Sequence, residues 1–108
     1  MEPSDNITIH TGFPNPATDT TILPLDLNKL IIKHPPSTFF MRVSGHTWEK
    51  FGIFNEDIAI IDRSLKPRNK DLVVFWNESD FYIKRFSKLP LDTLVWGVII
   101  SIVHRYRL

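Results

Sequence analysis

The sequence predicts a mostly β domain, a folded sheet or a barrel with one short helix at its edge. Three observations predict it. Five segments rich in β-branched and aromatic residues follow one another after residue 37, separated by polar or proline-marked turns. One stretch alone repeats apolar residues at helical spacing. The length, 108 residues, suits one domain and is short for two.

Residues 1–24 read as an N-terminal arm, rich in Pro, Thr, Asn and Asp with few apolar residues. Ile7-Thr8-Ile9 could pair as a short strand. Thr11-Gly12-Phe13-Pro14-Asn15-Pro16 cannot be regular, because two prolines fix φ and push their neighbours to extended shapes. Residues 25–108 form the expected β domain. Asp26 is placed to cap a short helix, with Leu27, Leu30 and Ile31 on one face and His34-Pro35-Pro36 ending it.

The strands follow at Thr38–Val43, Asp57–Asp62, Asp71–Trp76, Phe81–Phe86 and Thr93–Arg105. Ser44–Gly52 is a loop or short helical turn, and Leu65–Lys70 a turn marked by Pro67 and Asn69. Asn77-Glu78-Ser79-Asp80 is a polar hairpin turn, and Ser87–Asp92 a short linker. In the fourth strand, alternation puts Phe81, Ile83 and Arg85 on one face and Tyr82, Lys84 and Phe86 on the other. Leu94–Val103 is almost continuously apolar, which predicts burial on both faces, either as a central strand or against a partner. Gly97 and Ser101 interrupt it, and it is about half the length a membrane helix needs.

Composition excludes several functions. The chain has no cysteine, so disulfides, thiolate metal sites and a cysteine nucleophile are ruled out. His10, His34, His46 and His104 lack metal-ligand spacing, and neither metal nor cofactor is expected. A net charge of +1 gives no basic field for nucleic acid. Lys66, Arg68 and Lys70 read as a solvated turn, and direct DNA binding is not expected. Met1–Asn6 carries two acids and a proline, unlike a signal peptide, so a cytoplasmic protein without a membrane anchor is expected.

Three stretches resemble the UmuD branch of the self-cleaving LexA/UmuD (S24) family, over about residues 11–108. The first is Thr11-Gly12-Phe13-Pro14-Asn15-Pro16-Ala17, with Leu25-Asp26-Leu27-Asn28 and Ile32-Lys33-His34-Pro35 after it. The second is Phe40-Met41-Arg42-Val43-Ser44-Gly45-His46-Thr47-Trp48. The third runs from Gly52 to Ser64, then Lys70-Asp71-Leu72-Val73-Val74 and Phe81-Tyr82-Ile83-Lys84-Arg85. Their order and spacing carry the likeness, since each piece alone is weak.

The resemblance implies a LexA/UmuD C-terminal-like fold, but truncated, because the family places a further strand pair where this chain has only Ser87–Asp92. It implies a scissile bond between Thr11 and Gly12, a nucleophile at Thr47 and a general base at Lys84, with His46 and Trp48 in the cleft and oxyanion region. A hydroxyl needs a base beside it, and lysine serves as one only when burial favours its neutral form. Read alone, Lys84 is a lysine on a solvated face; the resemblance implies a buried one. Thr47 replaces the family serine, and its extra methyl restricts χ1 and crowds the attack path. Taken alone, it is a polar loop residue bonding backbone. Trp48 replaces a methionine and Thr11 a smaller or thiol residue.

Two functions stay open. One is a counterpart of processed UmuD that serves the SOS response to DNA damage, dimerises with itself or a relative, and joins a translesion DNA polymerase without cutting. The other is a threonine–lysine autoprotease of the S24 type, cutting Thr11–Gly12 with help from the RecA filament.

Overall fold

The computed structural model describes residues 26–107. The expected strand at Ile7–Ile9 and the expected scissile pair Thr11–Gly12 lie outside them. The chain divides after Leu30, and the second part carries the sheet.

Helix α1 (Leu27–Ile31) starts where the sequence predicts, because the Asp26 carboxylate accepts the backbone N–H groups of Asn28 (3.1 Å) and Lys29 (3.3 Å). The helix buries none of its residues: Leu27 and Leu30 are exposed and Ile31 is half-buried.

The second part begins with a 3₁₀ turn, Pro35–Ser37. Strands β1 (Thr38–Arg42), β2 (Ile58–Asp62), β3 (Leu72–Asn77), β4 (Asp80–Arg85) and β5 (Val95–Val103) follow. They form one sheet in the order β1-β2-β5-β3-β4, with every neighbouring pair antiparallel. The sheet is open, with β1 and β4 at its edges, so the barrel alternative is not realised. Among the described residues no helix is long and apolar enough to cross a membrane.

Alternation builds the core. Val43, Ile53, Ala59, Ile61, Val74 and Ile83 cluster on one side, and Met41, Trp48, Phe51, Phe81, Trp96 and Ile99 pack against them. β5 fits tightly beside β2 because residue 97 is glycine: a Cβ there would lie 2.5 Å from Cγ2 of Ile61, which is fully buried. The β2–β5 register shifts between Ile60 and Ile61, and the β3–β5 register between Val74 and Phe75.

One expectation needs correction. β5 is not buried along its whole length: only Gly97 and Val98 are, and the rest is half-buried. Its pairing explains this, since β3 meets it only from Val95 to Val98 while Ile99–Val103 pair with β2 alone. The hairpin turn falls where the sequence places it, but the strands run into its outer residues. Asn77 and Asp80 pair within the ladder, leaving Glu78 and Ser79 at the tip, with Glu78 at φ 60°.

Candidate functional site

The loop after β1 carries the family-like motif. Two backbone bonds close its base, Val43 N–H to Asp57 O and Glu56 N–H to Val43 O, both 2.8 Å. Gly45 takes a φ of +94°, which suits glycine, and donates its N–H to the Asn55 side-chain oxygen at 2.7 Å. His46 Nδ1 lies 2.6 Å from a Glu49 carboxylate oxygen. His46 is therefore engaged by the acid three residues on. Thr47 is exposed. Trp48 is half-buried on the core, and Glu49–Phe51 form a 3₁₀ turn ended by Gly52 in the left-handed region.

Trp48 walls a cleft of about 290 Å³ with Met41, Val74, Phe81 and Ile83, and Ser44 and Asp80 supply polar atoms. Such a cleft suits apolar side chains. Lys84 is not part of it. Ile83 pairs with Val74 and Lys84 with Val73, so alternation turns Lys84 to the other face of the sheet. There Lys84 is exposed and lines a separate groove with Phe75, Leu89, Pro90 and Leu94. Burial of Lys84, which the resemblance implies, is thus not realised. His46, Thr47 and Trp48 stand together on one loop, and Lys84 stands apart from them.

Sequence reasoning missed two buried aspartates. Asp57 just before β2 and Asp62 at its end are each 1% exposed. Asp62 accepts hydrogen bonds from Ser37 Oγ (3.2 Å), Ser64 Oγ (2.6 Å) and Ser64 N–H (2.8 Å), and pairs with His34 Nδ1 (2.6 Å). Burial pushes its carboxyl up, but the bonds from Ser64 and His34 outweigh this and lower its pKa from 3.8 to about 2. Asp57 accepts the Phe54 N–H at 2.8 Å and a short bond from His104 Nδ1. Phe54 and Tyr106 set their rings edge-on to His104. The available signal was an acid at each end of an apolar strand, Asp57-Ile58-Ala59-Ile60-Ile61-Asp62, which demands donors for both carboxylates. Among the described residues no three such groups gather as a metal site would require.

Comparisons with known proteins agree with this architecture. The Peptidase S24-like family profile matches residues 6–95. Protein ImpA of Salmonella typhimurium is 33% identical over 114 aligned positions, covering 89% of this chain and 79% of that protein. Protein SamA of Salmonella typhimurium strain LT2 is 30% identical over 112 positions, covering 89% of this chain and 80% of SamA. Protein MucA of Escherichia coli is 34% identical over 87 positions, covering 81% of this chain and 60% of MucA.

Proposed function

Because the chain belongs to the peptidase S24-like family, and its likeness to ImpA, SamA and MucA agrees with the UmuD branch, we propose that it acts by binding and not by cutting. In this reading it is a counterpart of processed UmuD, an accessory or regulator of SOS-linked translesion synthesis. It pairs with a second copy or a UmuD-like relative and engages a translesion polymerase.

The observation that carries the reading is the separation of Thr47 from Lys84. Thr47 stands on the loop that carries Trp48, and Lys84 lines a groove on the sheet face opposite the Trp48 cleft. A serine-type nucleophile needs its base within hydrogen-bond reach. The far half of β5 supports a pairing role, since among the described residues Ile99–Val103 pair with β2 on one side and with no strand on the other.

The test is intact mass after incubation at neutral and alkaline pH, with and without activated RecA filament, beside Lys84→Ala. Unchanged mass in every arm is the expected result. Loss of residues 1–11 from the wild type but not from Lys84→Ala would overturn the reading and establish the threonine–lysine autoprotease acting at Thr11–Gly12.

A further inference from the structure

Given the pairing role of β5 proposed above, we infer that its open half takes an acidic strand from another protein and not a second copy of this chain. The intact-mass test bears on Thr47 and Lys84 alone, so the two readings can fail separately.

The site begins where the β3–β5 ladder stops, at the Val73–Val98 pair. From there Ile99–Val103 pair with β2 alone and are half-buried. Ile99 and Ile102 pack against the core, so a strand laid beside them would cover apolar side chains on that face. At the start of the open stretch lies a groove of about 440 Å³, lined by Val98–Ile100 and by Leu65, Lys66, Arg68 and Asp71 from the segment between β2 and β3.

Charge selects the occupant. Lys66 and Arg68 line the groove, and Lys70 follows in the same turn. Arg105 and Arg107 come just after the strand, at its other end. All of these side chains belong to exposed residues. Among the described residues, Lys66, Lys70, Arg105 and Arg107 have no acid within ion-pair reach. The acid in the groove, Asp71, is engaged: it accepts the Arg68 N–H at 2.8 Å and lies 3.9 Å from Arg68 Nε. At the other end Asp57 is held by His104. Both ends of the open edge therefore carry an excess of positive charge, on a chain whose net charge is only +1.

A second copy fits this edge badly. In an antiparallel pair, each copy's C-terminal end runs towards the other's groove. Arg105 and Arg107 of one copy then approach Lys66 and Arg68 of the other, and two-fold symmetry repeats the conflict. Parallel pairing sets the two basic ends side by side. Opposed like charges destabilise a strand pair either way. A strand with carboxylates at both ends of a short alternating apolar run turns each repulsion into attraction, and adds ladder bonds along a free edge.

The probe is a fluorescein-labelled peptide of alternating valine and threonine with two glutamates at each end, titrated against the full chain. A second peptide carries lysines in place of the glutamates. We expect saturable anisotropy with the acidic peptide, binding about tenfold or more tighter than the basic one. Hydrogen exchange should slow at the outward-facing amides of Ile99–Val103. In the double variant Lys66→Glu/Arg105→Glu the preference should invert towards the basic peptide. Both positions are exposed, so circular dichroism should report a folded variant. Absence of saturation by ~1 mM acidic peptide, a level at which even a weak site fills, would overturn the proposal. So would equal binding of the two peptides, or an unchanged preference in the double variant. Protection of the same amides by concentrated protein alone would make the occupant a second copy and overturn it equally.

Discussion

Replacing Gly97 with alanine should destabilise the protein through one identifiable contact. The new Cβ would sit 2.5 Å from Ile61 Cγ2 and 3.3 Å from Arg63 Cγ. Carbon atoms prefer roughly 3.5–4.0 Å, so the first contact is about 1 Å too short. Arg63 can swing its flexible stem aside, but Ile61 is fully buried in the cluster with Val74 and Ile83. Over-packing of this sort costs roughly 1–3 kcal/mol. Loss of unfolded-state freedom on Gly→Ala returns about 0.4–1 kcal/mol. The net should be a loss of up to about 2.5 kcal/mol. Each kcal/mol lowers the melting temperature by roughly 4–8 °C in a domain of this size.

Urea unfolding of four proteins measures it: wild type, Gly97→Ala, Ile61→Ala and the double variant. Ile61→Ala alone should cost about 2–5 kcal/mol by leaving a cavity. In that background Gly97→Ala should be neutral or stabilising, because the clashing methyl is gone and the new one fills space. An equal cost for Gly97→Ala in both backgrounds, within about 0.5 kcal/mol, would refute the reasoning.

Further predictions concern the polar supports. Asp62 is held at about 2, below its ordinary 3.8, so its contribution to stability is complete above 3.8 and is lost as pH falls through 2. Urea midpoints of wild type and Asp62→Asn should therefore differ clearly at pH 5–7 and converge towards pH 2. His104→Ala strips buried Asp57 of a donor and should cost about 1–3 kcal/mol by thermal unfolding, with the Phe54 N–H bond remaining. Asn55→Ala removes the acceptor of the Gly45 N–H at an exposed site. It should cost at most about 1 kcal/mol yet speed hydrogen exchange at Gly45.

Much of the sheet was legible because its strands are amphipathic or fully apolar. Asp26 as a cap was readable from type and position, since a short carboxylate suits the first open N–H groups. Alternation along β4 correctly divided Ile83 from Lys84. It could not say which side lacked cover, because Val73 opposite Lys84 and Val74 opposite Ile83 are both fully buried. The resemblance put Lys84 inside, whereas its surroundings leave it at the surface. The hairpin turn at Asn77–Asp80 was legible, but its left-handed residue Glu78 was not, because such a φ normally announces itself as Gly or Asn. Asp57 and Asp62 were only half legible. Their local donors, Phe54 N–H and Ser64, lie two or three residues away, but their histidine partners His104 and His34 are 47 and 28 residues away, and no local pattern joins those.

The two aspartate–histidine pairs also bear on how the domain carries mechanical load. β1 and β5 flank β2, and both run antiparallel to it. The chain enters β1 opposite Asp62 and leaves β5 opposite Ile58. Tension applied through the two ends would therefore drag β1 and β5 in opposite directions along β2. The ladder bonds would be stressed in shear, many at once, and not peeled one by one. His34 and His104 sit where each end meets β2, fastened to Asp62 and Asp57. Force drawn along β1 or β5 would load one of these two pairs before the ladder beyond it.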